Sequence, residues 1–352
     1  MHDEQRKGGC NLLLKLKWRI ELPCLSPAKL NCLDLHITME PGDWACCSSP
    51  LMSSGSLTES LNWVGTMLAA YLSPLARTPF QESRGMGIFM FYTEDRGGNG
   101  CHEINYLRFY WQIDAATGRS ISFSQIKDQT RRFSSALVKR GFEKGDVLAI
   151  YLPNVLEYPI IFHGVACLGG VITTVNPQYT LQDLAHQLNT SRAKYLVTIP
   201  SLAVQAFSSG TLKGIRSVIV IGEAQGCESI SALLSDDGAA FPKLVKINPK
   251  EDVVSMPFSS GTTGISKGVM LTHFNLIASL CISTKQSTPP NMPVVPTVLN
   301  VLPFYHTYGL ALITGIYPYI GAKVVLLARF EPQSFLQAIQ DYKVCFALKL
   351  QI

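Results

Sequence analysis

Two stretches of this chain have the residue types and spacing for chemistry. The first is Ser259-Ser260-Gly261-Thr262-Thr263-Gly264-Ile265-Ser266-Lys267-Gly268. Its glycines let backbone N–H groups approach a ligand with no Cβ in the way. Its hydroxyls add donors, and Lys267 adds one mobile positive charge. Successive amides in such a turn form a concave nest for anions, suited to a polyphosphate. A flexible polar surface loop has the same composition. The second stretch is Leu302-Pro303-Phe304-Tyr305-His306-Thr307-Tyr308-Gly309-Leu310. A histidine donates to carboxylates, and its charge is tunable near neutral pH. A histidine among aromatics is equally the pattern of a packed core residue.

The first stretch is not a Walker A loop. Counted from Gly261, that pattern needs glycine at 266 and serine or threonine at 268, where the chain has Ser266 and Gly268. The order S-S-G-T-T-G-x-x-K-G-V instead resembles the phosphate loop of the adenylate-forming (AMP-binding) superfamily. Ser266 stands where most members carry proline. His306 lies about forty residues further on and resembles the second core motif, P-x-x-H-x-x-G/A. Asn176-Pro177-Gln178-Tyr179-Thr180 and the run Lys194-Tyr195-Leu196-Val197 are similar to the acyl-CoA synthetase and 4-coumarate–CoA ligase branch. The likeness spans about residues 113–346.

The resemblance implies an acid–thiol ligase. A carboxylate attacks the α-phosphate of ATP, and the thiol of CoA then takes the acyl group from the adenylate. Ser259, Ser260, Gly261, Thr262, Thr263, Gly264, Lys267 and Gly268 would hold the phosphates, with Mg²⁺ sharing their charge and no protein metal site assigned. Lys267 and His306 would be the catalytic residues. His306, Tyr308 and Gly309 would line the acyl and adenylate pocket, Gly309 leaving space beside Tyr308. Arg329 falls where the coumarate branch has a basic residue that helps hold CoA; a solvated arginine at a strand end reads the same. Members of the family continue with an aromatic-Gly-x-Thr-Glu motif, a ribose-binding aspartate and a small C-terminal domain bearing another lysine. None of these occurs before Ile352. The expectation is therefore an incomplete large domain whose activity is impaired, or an inactive nucleotide-binding or interaction fragment.

The elements around these stretches read as α/β. Residues 253–258 and 268–271 are expected as strands leading into and out of the loop, and Thr272 as the cap of a helix bearing Leu276, Ile277 and Leu280. Ser122 to Gln125 fits a capping box. Ile126, Thr130, Phe133 and Leu137 then recur on one helical face. The runs at 147–152, 171–175, 195–199 and 217–221 are continuous and apolar, as in strands buried on both faces. They alternate with helices expected at about 156–168, at 181–188 behind Thr180-x-x-Asp183, and after 199. This order predicts layered, doubly wound sheets flanked by helices, with ligands beyond the carboxyl ends of strands.

Composition agrees. The 352 residues are 47% hydrophobic and 16% charged, with a net charge of +5. A large core is expected, and no dense basic run supports nucleic-acid binding. Ten cysteines occur without a single C-x-x-C, which argues against a zinc site and for reduced thiols inside a cell, in cytoplasm or peroxisome. The sequence ends Leu350-Gln351-Ile352, without a peroxisomal tripeptide. Residues 298–322 lack Asp, Glu, Lys and Arg, but their prolines and glycines read as a buried α/β segment rather than a membrane span. Residues 1–85 match nothing in the family. They contain a candidate strand at 14–22 and a candidate helix at 61–75. They read as a divergent extension or a mis-joined piece of message, before a partial AMP-binding domain at 86–352. Neither composition nor motifs name the acid, and the oligomeric state is left open.

Overall fold

The computed structural model describes residues 110–208, 212–259, 266–287 and 295–348. The expectations for residues 1–85, and Ser260, Gly261, Thr262, Thr263 and Gly264 of the loop, lie outside the described residues.

Strand β1 (Tyr110–Asp114) turns through Asp114 and Gly118 into antiparallel β2 (Ser120–Ser122). Helix α1 (Phe123–Lys139) follows, with Ser122 and Gln125 forming the expected capping box. Then come β3 (Val147–Ile150), α2 (Tyr158–Cys167), β4 (Val171–Thr174), α3 (Leu181–Ser191), β5 (Tyr195–Thr198), α4 (Pro200–Ser208), β6 (Ser217–Val220), β7 (Glu228–Ser229) and α5 (Ile230–Leu234). Thr180 and Asp183 cap α3 reciprocally. Exchanges of this kind satisfy the free N–H groups of a helix's first turn and are worth about 1 kcal/mol each.

The second half holds β8 (Val253–Ser255), β9 (Phe258–Ser259), β10 (Lys267–Gly268), β11 (Leu271–Thr272), α6 (His273–Ser287) and β12 (Thr297–Asn300). Next is α7 (Thr307–Ala311), which runs through a π-turn (Leu312–Ile316) into α8 (Tyr317–Tyr319). The chain then forms β13 (Lys323–Leu326), α9 (Pro332–Tyr342) and β14 (Phe346–Leu348). Residues 298–322 are thus a strand, a loop and a broken helix. Among the described residues no helix is long and apolar enough to cross a membrane.

The strands form two large sheets. One has the order β11-β8-β4-β3-β5-β6-β7, parallel except for β11. The other has the order β14-β12-β13-β1-β2, parallel except for β2. A single apolar cluster takes Ile150, Ile172 and Val197 from the first sheet and Val298, Val324 and Leu326 from the second. Phe133 and Leu137 of α1 and Ile160, Ile161 and Phe162 of α2 fill the space between them. Every residue of α2 is buried, which explains why it shows no polar face. Leu184 and Leu188 of α3, with Leu202 and Ala206 of α4, cover the outer face of the first sheet, and Ala338 of α9 covers that of the second. The architecture is the expected layered α/β fold.

One expectation is corrected. The runs at 253–258 and 268–271 are not continuous strands. Each is broken, the first at Met256-Pro257 and the second at Val269-Met270. Pro257 has no N–H to donate to a ladder. The chain leaves the large sheet there, and β9 and β10 pair as a separate antiparallel ribbon, returning when Val269 N–H donates to the Pro257 carbonyl at 2.9 Å.

Candidate functional site

The described residues of the glycine-rich stretch, Ser259, Ser266, Lys267 and Gly268, belong to that ribbon and its edge. Ser259 and Lys267 face each other as a described pair of the ribbon, so their side chains share one face. Lys267 is exposed, as its expected role requires. A Cβ on Gly268 would lie 3.0 Å from the Phe258 ring and 3.2 Å from Met256 Cγ, so this glycine lets the ribbon close on its own base. Helix α3 steadies the ribbon from the side. His186 Nε2–H donates to the Ser266 carbonyl at 3.0 Å, and its ring meets Phe258 edge-on at 6.3 Å.

His306 is the N-cap of α7, where Nδ1 accepts from the Tyr308 N–H at 3.4 Å. An accepting Nδ1 leaves the proton on Nε2, so the exposed edge of the ring is a donor. Tyr308 is 44% exposed. Gly309 is buried, and a Cβ there would lie 2.1 Å from the Pro303 carbonyl oxygen. The close approach of α7 to its own loop, rather than room for a ligand, accounts for that glycine.

The loop before His306 is held firmly. Asn154 Nδ2 donates to the Leu302 carbonyl at 2.9 Å, and Asn154 Oδ1 accepts from Phe304 N–H at 2.8 Å. Tyr158 packs edge-on against Phe304, with ring centroids 5.4 Å apart. Burial and the neighbouring Tyr305 push the Tyr158 phenol well above its ordinary pKa. Burial and Tyr179 raise Tyr305, and burial raises Tyr308. These phenols are protonated at neutral pH, so they offer donors and apolar ring faces and no base.

One strand end ties the two stretches together. Thr173 Oγ1 donates to the Met256 carbonyl at 2.8 Å, at the root of the ribbon. The next residue, Thr174, donates through Oγ1 to the Tyr305 carbonyl at 2.8 Å, just before His306. Successive strand side chains point to opposite faces, so ribbon and histidine loop flank the carboxyl end of β4 from its two sides. The chain steps from β4 across β3 to β5, so the topological switch where ligands of open α/β sheets sit lies between β3 and β5, with β4 the next strand over.

Arg329 lies exposed beyond the carboxyl end of β13, with no ion pair among the described residues. Asn176 Oδ1 accepts from Gln178 N–H at 2.9 Å, an Asx turn of the structural kind expected of Asn176-Pro177. Sequence reasoning missed Asn154, Thr173, Thr174, His186 and Gln187. Their signal is polarity in the wrong place: two threonines closing an apolar strand, and Gln187 between Leu184 and Leu188 on the buried face of α3.

Among the described residues no group of three or more His, Cys, Asp or Glu could hold a metal ion.

Comparison with known proteins gives the family and the fold. Residues 105–348 match the family model described as AMP-binding enzyme. The chain is 35% identical over 254 residues to a probable 4-coumarate–CoA ligase 1 of Dictyostelium discoideum, covering 67% of this chain and 45% of that protein. A red-emitting luciferase from Phrixothrix hirtus superposes with a TM-score of 0.65 at 24% identity, over 74% of this chain and 50% of that one. A long-chain-fatty-acid–CoA ligase from Archaeoglobus fulgidus gives 0.63 at 24%, over 76% and 51%. At that identity the two structures speak to the fold. The chain spans about half the length of the relatives it matches. With the family model matched over most of its length, the chain belongs to the AMP-binding enzyme family.

Proposed function

We propose that this chain carries the phosphate and acyl half of an ATP-dependent acid–thiol ligase, with residues 86–352 as its partial AMP-binding domain and residues 1–85 as an extension. The observation that carries the reading is the shared anchoring of the Lys267 ribbon and the His306 loop on Thr173 and Thr174. It supports a triphosphate and a carboxylate meeting at one strand end.

In this reading a carboxylate oxygen attacks the α-phosphorus. The bond from that phosphorus to the bridging oxygen breaks, and pyrophosphate leaves with the electron pair. Two anions must approach, so positioning and charge neutralisation dominate the barrier. Lys267 and the glycine-rich stretch, Ser259 to Gly264 with Gly268, offset the β- and γ-phosphate charge. The Nε2–H of His306 orients the acid, Tyr308 lies along it, and Mg²⁺ travels with the nucleotide. In the second half the CoA sulfur attacks the acyl carbon, AMP leaves, and the thiol proton is released; Arg329 meets a phosphate of CoA.

The test is carboxylate-dependent exchange of labelled pyrophosphate into ATP, across fatty and hydroxycinnamic acids. We expect exchange with at least one class, falling by about a hundredfold in Lys267→Ala and in His306→Ala, the scale of one lost preorganised donor. Absence of exchange with every acid, while pyrophosphate still binds and Lys267→Ala weakens it, would make the chain a nucleotide-binding unit instead.

A further inference from the structure

We propose that Thr173, Thr174 and Gln187 are positioning residues that set the spacing between the phosphate ribbon and His306; the proposal rests on the ligase reading above. All three are buried. Gln187 Nε2 donates to Thr173 Oγ1 at 2.8 Å and to the Thr174 carbonyl at 3.0 Å, so both of its amide protons brace the end of β4. The Thr173 hydroxyl donates in turn to the Met256 carbonyl at the ribbon's root, and the Thr174 hydroxyl donates to the Tyr305 carbonyl beside His306. One side chain from α3 thereby braces the hydroxyl of Thr173 and the backbone carbonyl of Thr174, two residues whose hydroxyls hold opposite walls of the crevice.

The surroundings argue against a role in stability alone. Gln187 is buried on the same helix as Leu184 and Leu188, and its Oε1 has no hydrogen-bond partner among the described residues. A buried, unmet amide oxygen costs stability that an apolar side chain of the same length would not. The amide is in the wrong place for packing and the right place for holding the threonines.

The experiment compares the full chain with Gln187→Met, Thr173→Val and Thr173→Ser by thermal melting and by ATP–pyrophosphate exchange. Gln187→Met relieves the unmet Oε1 but takes donors from Thr173 Oγ1 and the Thr174 carbonyl, so it should melt near the wild-type temperature, yet lose about tenfold in exchange kcat with KM for ATP within about twofold, as expected when geometry rather than binding is lost. Thr173→Val should behave likewise, and Thr173→Ser, which keeps the hydroxyl, should restore most of kcat. An unchanged kcat in Gln187→Met, or equal losses in the valine and serine variants, overturns the proposal. If the wild-type chain shows no exchange, the ligase reading fails first, and amide hydrogen exchange decides the positioning claim. Faster exchange at both 256–259 and 303–308 in Gln187→Met and Thr173→Val, but not in Thr173→Ser, supports it. Unchanged protection at either segment refutes it.

Discussion

The α-carbon of Gly309 packs so closely on Pro303 that a β-carbon would sit 2.1 Å from the proline's carbonyl oxygen. The obstacle is backbone, which cannot rotate aside as a side chain would. Gly309→Ala must therefore push α7 away from the loop that carries His306. We expect a loss of about 2 kcal/mol in urea unfolding, in the range of overpacked cores. An alanine variant as stable as the parent would show that the loop yields freely.

Asn154 holds the same loop from the other side. Removing its side chain in Asn154→Ala orphans the buried Phe304 N–H, while the Leu302 carbonyl keeps the Asn300 amide at 3.1 Å. The expected cost is about 2 kcal/mol, the scale of one buried donor left unmet plus a lost bond. Equilibrium denaturation measures it, and a change below about 0.5 kcal/mol would mean that water replaces the amide.

His186 joins α3 to the ribbon through a single bond to the Ser266 carbonyl. His186→Ala should leave the melting temperature nearly unchanged, because the ring is only partly buried. Pyrophosphate should bind about fivefold more weakly, which corresponds to about 1 kcal/mol of lost preorganisation. Titration calorimetry with pyrophosphate distinguishes this from no effect, which would leave the ribbon self-supporting.

Asp236 predicts an acid limit to stability. Burial alone would raise its pKa. The Ser135 hydroxyl, the Lys139 ammonium and the Gly238 N–H all donate to its carboxylate and outweigh that, holding it well below the usual carboxylate range. A lowered folded-state pKa means the stabilisation is complete above the unfolded pKa of about 3.9 and is lost as pH falls through the folded value. Asp236→Asn should cost about 2 kcal/mol at pH 7, the scale of hydrogen bonds to a charged group, and should flatten the stability profile below about pH 5. Melting curves across that range check it; a profile as steep as wild type's would assign the acid limit to other carboxylates.

Much of this molecule is legible locally. The capping boxes at Ser122 and Thr180, the turn at Asp114 and the four apolar strand runs need only neighbours a few residues away, so period and cap chemistry identify them in the sequence. The two chemical stretches are legible for the same reason, since each is a compact set of residue types.

The tertiary structure decided what lies between them. Thr174 meets Tyr305 across 131 positions, and Asn154 meets Phe304 across 150. No periodicity encodes such a pairing. The break at Met256-Pro257 was equally hidden, because it follows from where Thr173 captures the Met256 carbonyl as well as from the proline itself. Gly309 reads as pocket space in the sequence and proves to be a backbone contact. A strand or helix follows from how one segment meets its own hydrogen bonds. A site follows from which distant polar groups are driven to share burial, and only the packed sheets bring those groups within reach.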